Sequence, residues 1–377
     1  MTLRLCPVPA RLSATMSALM LLAACARSPN EGRLPPSPST SGSPGEAPAR
    51  AVGAGDPSRS VLRVDPWPFE PGVTGRVIRT PNYAIYTTET EPIITDRLPG
   101  FMEAALPHYA GAVAPLGRPA PGAALEIFVM ASRPQWERLT LRMLGGAGVS
   151  VTNAIERGGF TTGGRAFLFD IGAADTFSIA AHEGWHQFSQ TTLRERLPLW
   201  LEEGLATFCE GHRWIGNDVV FLPWCNLERF DRLRDAAARG GLLGLRELLA
   251  AGPQTFMNPS GAGASAGGGG PLTYYAQAWA LVHFLREGQG GRHRAGLEQL
   301  VADAARGTMA RAIAQSAADQ RARPLALPDA LTAGVVRTYF GGDLDALARG
   351  YDEFLREVLR TGARGDIVEG RSPLRGR

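Results

Sequence analysis

From Val61 onward the chain sets out its apolar positions in two different rhythms. In the first half the runs are short, apolar and β-branched. "GRVIRTPNYAIYTT" (75–88) reads as one or two strands, "ALEIFVM" (124–130) as a compact strand, and Arg165–Ile171, flanked by glycines in "GGFTTGGRAFLFDI", as another. Helical spacing interrupts them at about 91–113 and at "RPQWERLTLRML" (133–144). After Asp175 the spacing becomes mostly helical. Asp175 or Thr176 is the expected N-cap of the next helix, and Pro198 suits the first turn of the one after, where a missing N–H costs nothing. Further helices are expected at 226–250, 272–288, 293–320 and 343–361. The pattern predicts an α+β domain, a small N-terminal mixed sheet followed by a mostly helical half, over residues 61–362. No internal repeat is present.

The two ends read differently from this domain. Arg4 and Arg11 precede the 13-residue apolar run "LSATMSALMLLAA", the basic and hydrophobic regions of an export signal, too short to span a membrane. Its terminal "LAAC", Leu22–Cys25, resembles the lipobox of bacterial lipoproteins. That resemblance implies a signal peptide over 1–24, a lipidated Cys25 as new first residue, and anchoring to a membrane facing the periplasm or cell exterior. Residues 25–60, rich in Pro, Ser, Gly and Ala, have almost nothing to bury and are expected to be a disordered tether. The polar tail 363–377 is expected to be disordered, and the glycine-rich insert Asn258–Pro271 to be a loose loop.

Composition narrows the classes. Apolar residues at 44% and charged residues at 20% are ordinary for a globular protein. All 39 basic residues are arginine, and they are scattered among 36 acidic ones without forming a stripe, which argues against nucleic acid as a partner. Export would remove Cys6 and lipid would occupy Cys25, leaving Cys209 and Cys225 as either a disulfide or two thiols.

The chemistry concentrates in "HEGWH". Four helical residues turn about 400°, so His182 and His186 share a face and can hold one metal ion, while Glu183 is set to act on a water as general base. Six histidines and 21 glutamates in 377 residues would give this pattern by chance only about 0.005 times, so coincidence is a poor account. A hydrolytic zinc site needs a third protein ligand, and "PLWLEEGLATFCE" offers Glu202 or Glu203.

"HEGWH" followed by "WLEEGLATFCE" resembles the gluzincins, the glutamate-ligand branch of the zincins that includes thermolysin and the zinc aminopeptidases. The resemblance implies a zincin fold and Zn2+ held by His182, His186 and Glu203, with Glu183 as general base. It makes Glu202 an exposed or arginine-paired residue, and makes Glu210, seven residues past the ligand, the carboxylate behind a zinc histidine. "TYYAQAWALVHFL" is similar to the helix that follows the metal site in this group, which implies Tyr275, with Tyr274 second, as a donor to the reaction's oxyanion. A wider likeness to uncharacterised bacterial zincin-like domains runs over about residues 75–360.

Zinc aminopeptidases carry a Gly-x-Met-Glu-Asn stretch that holds the substrate's amine, where this chain has "GGFTTGG". The implied activity is therefore an endopeptidase acting on a peptide or protein, with the Arg165–Ile171 strand as an edge for an extended substrate. The alternatives are a catalytically silent zincin-fold scaffold and a zinc hydrolase of non-peptide cell-wall amides. His108, His212, His283 and His293 read as structural or surface residues.

Overall fold

The computed structural model describes residues 60–117, 124–252, 255, 270–319, 325 and 327–374. The signal, Cys25, the tether up to Arg59 and residues 258–269 of the insert lie outside them. Eight strands and thirteen helices are assigned among the described residues. The first half runs β1 (Arg63–Glu70), β2 (Val73–Arg79), β3 (Tyr83–Thr87), α1 (Pro92–Gly111), β4 (Leu125–Met130), α2 (Arg133–Leu144), α3 (Gly146–Ala154), β5 (Gly159–Thr162) and β6 (Arg165–Phe169). The second half runs α4 (Ala173–Thr192), α5 (Leu199–Cys209), the hairpin β7 (His212–Ile215) and β8 (Asp218–Phe221), α6 (Leu227–Ala238), α7 (Leu245–Ala250), α8 (Pro271–Gly291), α9 (Arg294–Arg306), α10 (Met309–Asp319), α11 (Ala330–Tyr339), α12 (Leu344–Val358) and α13 (Ala363–Val368). The architecture is mixed α/β, with an N-terminal sheet and a mostly helical C-terminal half.

Period-two alternation decides how the sheet is covered. Its order is β1-β2-β3-β4-β6-β5, with β3, β4 and β6 parallel and the others antiparallel. On one face Ile85, Ile127, Val129 and Leu168 pack in a large core with α1 and α4; on the other Phe128, Met130, Phe167 and Phe169 pack with Trp136 of α2, Val151 of α3 and Ile155 just after it. Strands coated on both faces carry apolar residues at nearly every position, and β4 is buried at five of its six residues. The edge on the β5 side is β5 itself. Arg165–Phe169, expected as the edge, is an interior strand, because the antiparallel hairpin of "GGFTTGGRAFLF" folds β5 over its outer side.

Several helix boundaries differ from the expected ones for local reasons. The N-cap of α4 is Gly172, and Thr176 instead uses its hydroxyl to bind Asp170 (3.0 Å) and to accept from the Ile171 N–H (3.2 Å). Asp175 lies in the first turn, where a negative charge favours the helix N-terminus. The 226–250 stretch is two helices, because Gly240 takes a left-handed conformation (φ 65°) after α6. Gly307 (φ 74°) likewise divides 293–320 into α9 and α10. The tail was expected to be disordered from residue 363, yet α13 buries Ala363 and Ile367 in the main core, a pair four apart on one helix face. No helix among the described residues is long and apolar enough to cross a membrane.

The C-terminal core encloses a titratable group of its own. His283 on α8 is 1% exposed, stacks on Trp224 at 3.6 Å between ring centroids, and its Nδ1 lies 3.2 Å from Glu287. Burial pushes the ring's pKa down, against the opposing pull of Glu287. A histidine kept neutral by the fold binds its proton first in the unfolded chain. Its contribution is therefore complete above the ordinary histidine pKa of about 6.5 and is lost as pH falls below it. His283→Gln cannot titrate, so its unfolding free energy is expected to drop less than wild type between pH 7 and 5. The difference is bounded by about 1.4 kcal/mol per pH unit for one proton. Denaturant melts at the two pH values measure it, and parallel profiles would refute the assignment.

Candidate metal centre

Helix α4 runs through the middle of the domain, and every residue from Thr176 to Ser189 except Ser178 is buried. That burial demands small residues wherever a neighbour comes close. At Gly184 an added Cβ would lie 2.3 Å from the Tyr109 hydroxyl, which donates to the Ala181 carbonyl at 2.9 Å and ties α1 to α4. Trp185 and Phe188 pack beside Tyr109. The opposite wall is α5, pressed against α8 so tightly that a Cβ at Gly204 would stand 2.8 Å from the Ala278 carbonyl oxygen. Gly204→Ala must push α5 outward. The expected cost is about 1–3 kcal/mol of overpacking, read from denaturant midpoints, and an unchanged midpoint would contradict it.

With α4 and α5 so placed, His182, His186 and Glu203 converge. Their ligand atoms lie within 4.8 Å of one another, and all three residues are buried. His182 Nε2 is 3.5 Å and His186 Nε2 3.6 Å from Glu203 Oε2. Neither Nε2 and neither Glu203 oxygen has a hydrogen-bond partner. Four buried polar atoms without a protein partner, gathered in one spot, would be costly in a site meant to stay empty. Ligand atoms at the corners of a tetrahedron with about 2.0–2.1 Å bonds stand about 3.3 Å apart, close to the two separations seen here. The group can hold a metal ion.

Each imidazole is held from behind. His182 Nδ1 lies 2.7 Å from Glu210 Oε1, and His186 Nδ1 3.0 Å from Glu202 Oε1. Glu202 is thus neither solvent-exposed nor arginine-paired; its side chain is 13% exposed and also accepts from the Ser189 hydroxyl. The two nitrogens of one ring point to different sides, so adjacent glutamates on α5, about 100° apart, can reach opposite edges of His186. Glu210 is gripped in turn by Arg229 (2.8 and 3.0 Å) and by the Asn226 amide (2.8 Å).

Charge follows the same arrangement. Burial alone would raise the pKa of Glu203, but the two histidines outweigh it and hold the carboxyl at about 2. Burial likewise opposes ionisation of Glu210, and the Arg229 charge and His182 hold it at about 2. Glu183 moves the other way. Burial raises its pKa, against the pull of His186 and His182. Its Oε2 accepts from the Thr161 hydroxyl at 2.8 Å, while its buried Oε1 has no partner.

Tyr275 on α8 stands beside the group, its ring 6.0 Å from that of His182 and its buried hydroxyl without a partner. The Tyr274 ring is 5.7 Å further along, against Tyr275. Burial keeps both phenols well above their usual pKa and therefore protonated. Cys209 and Cys225 are both free thiols. Of the remaining histidines, His108 stacks on Phe221, His212 binds the Glu210 carbonyl through Nδ1, and His293 packs on Phe284. Nothing in the sequence pattern marks Thr161, Asn226 or Arg229, and Glu202 stands where an exposed or arginine-paired residue is expected. Only the doubled glutamate of "WLEEG", facing two rings with two nitrogens each, carried a signal for one of them.

A family model described as "Protein of unknown function (DUF1570)" matches residues 176–301, from the first turn of α4 into α9. The matched stretch contains every residue of the group and its supports except Thr161. No curated protein matches the chain.

Proposed function

We propose that the chain is a zinc-dependent metallopeptidase of the gluzincin type, working as an endopeptidase at the cell envelope and held there by lipid on Cys25. The observation that carries this reading is the cluster of buried, partnerless ligand atoms on His182, His186 and Glu203, with Glu183 next to them. Two imidazoles and a carboxylate are a donor set that suits zinc. When bound, zinc supplies a Lewis acid that polarises a carbonyl and makes water a nucleophile near neutral pH.

The chain's own residues account for the rest. Glu210 and Glu202 accept the Nδ1–H of His182 and His186, so each ring, once neutral, turns an Nε2 lone pair toward Glu203. Thr161 pins one oxygen of Glu183 and leaves the other able to take a proton from the attacking water. The raised pKa of Glu183 suits it to hold that proton and pass it to the leaving amine. Tyr275, protonated and unpaired, can donate to the oxygen that gains charge as the carbonyl is attacked. Thr161 belongs to the edge strand β5, so an extended peptide can pair there beside Glu183.

One observation favours a second reading, a metal-holding scaffold without turnover. His182, Glu183, His186 and Glu203 are each at most 1% exposed. The test is metal analysis of the purified domain together with cleavage of a peptide library and of cell-wall fragments, before and after chelation. Stoichiometric zinc with chelator-sensitive peptide cleavage supports the protease. Zinc without cleavage supports the scaffold, and cleavage confined to wall fragments supports an amidase.

A further inference from the structure

Arg229, in the first turn of α6, is 3% exposed, a rare place for a guanidinium. Its Nη2 and Nε donate to the two oxygens of Glu210 at 2.8 and 3.0 Å, a bidentate fork. Asn226 caps the same helix by accepting from the Arg229 N–H, and turns its amide nitrogen to Glu210 Oε2 at 2.8 Å and to the Thr207 carbonyl at 3.1 Å. The fourth neighbour of Glu210 is His182 Nδ1, on Oε1. The guanidinium also lies 5.5 Å over the ring of Tyr275.

The inventory of donors sets the direction of each bond. Arginine can only donate, and the Asn226 amide nitrogen can only donate. With two bonds from the fork and one from the amide, Glu210 is surrounded by donors and is left as an acceptor toward His182. The His182 ring must then carry a proton on Nδ1, and in the neutral ring, the form that binds a metal ion, Nε2 is left with a lone pair on the Glu203 side. The fork also fixes the plane of the Glu210 carboxylate and, with it, the tilt of the imidazole.

We propose that Arg229 is a positioning residue for the metal centre. Through its fork on Glu210 it selects the Nδ1–H tautomer of His182 and aims Nε2 at the ion, and its face over Tyr275 keeps that ring beside His182. The proposal rests on the metallopeptidase reading, since it gives the centre its second layer of support. It differs from an ordinary buried ion pair in reaching a named ring nitrogen that the pair itself does not touch.

The test compares wild type with Arg229→Met and Arg229→Lys in the full folded domain. Zinc affinity is measured by chelator competition, and the His182 tautomer by imidazole ¹⁵N shifts in the metal-free protein at a pH high enough to make the ring neutral. Arg229→Met is expected to weaken zinc binding about 10–100-fold, the usual cost of losing an outer-layer partner, and to shift His182 away from the Nδ1–H form. Arg229→Lys keeps the charge but not the fork, so it is expected to fall between. Should the methionine variant fail to fold, the lysine variant carries the measurement, with a loss of at least threefold expected. A folded variant with zinc affinity within twofold of wild type and an unchanged His182 tautomer would overturn the proposal. If wild type itself binds no zinc, the metal reading fails, and the metal-free ¹⁵N shifts still decide whether Arg229 sets the tautomer.

Discussion

Glu183→Ala is expected to lower kcat/KM for the best library peptide by about 10²–10⁴-fold, the span that a positioned general base contributes, while zinc content stays at that of wild type. The two halves of this outcome come from different atoms. The metal-binding atoms belong to His182, His186 and Glu203, and none of them bonds to the Glu183 carboxylate. The fold is expected to tolerate the change. Glu183 keeps only one side-chain bond, from Thr161, whose hydroxyl also lies 3.0 Å from the Glu183 carbonyl and can turn to it. The variant further removes a carboxyl whose ionisation burial disfavours. Glu183→Gln, which keeps the Thr161 contact, is expected to be as inactive. Full activity in either variant, at equal zinc content, would remove Glu183 from the mechanism and return weight to the scaffold reading.

The second large effect concerns the ion itself. Glu203 supplies the only carboxylate of the candidate ligand set, and with alanine there two imidazoles remain. The loss of affinity is expected to exceed the 10–100-fold typical of outer-layer partners. Thermal shifts give a direct readout. At zinc a hundredfold above its dissociation constant, wild type gains about 2.7 kcal/mol of stability, whereas a variant bound a hundredfold more weakly gains about 0.4 kcal/mol. The zinc-dependent rise in melting temperature is thus expected nearly to vanish in Glu203→Ala. A rise equal to that of wild type would mean that the ion binds elsewhere, and the proposed centre would be abandoned. Glu202→Ala is the useful contrast, because its carboxylate meets the Nδ1 side of His186, away from Glu203.

Much of this protein is visible in local spacing. The short, nearly continuous apolar runs "LEIFVM" and "RAFLF" foretell strands, and the structure buries them on both faces because neighbouring side chains on a strand point to opposite sides. The four-residue step in "HEGWH" foretells two rings on one helix face, and their centroids are indeed 5.0 Å apart. Helix ends set by a single glycine were less legible. Gly240 and Gly307 stop helices inside stretches whose apolar spacing continues unbroken, because a left-handed residue ends the hydrogen-bond ladder without changing the pattern.

What periodicity along one chain segment determined, then, was which side chains share a face; what only the tertiary structure decided was which faces meet. Glu202 and Glu203 are neighbours with the same chemistry, and the packing of α5 between α4 and, at Gly204, α8 puts one behind His186 and the other in front. The Arg229 fork on Glu210 and the Thr161 hydroxyl on Glu183 join residues 19 and 22 apart in sequence. No helical or strand repeat encodes such pairs. They exist because burial leaves each polar group without water and obliges it to find a partner across the fold.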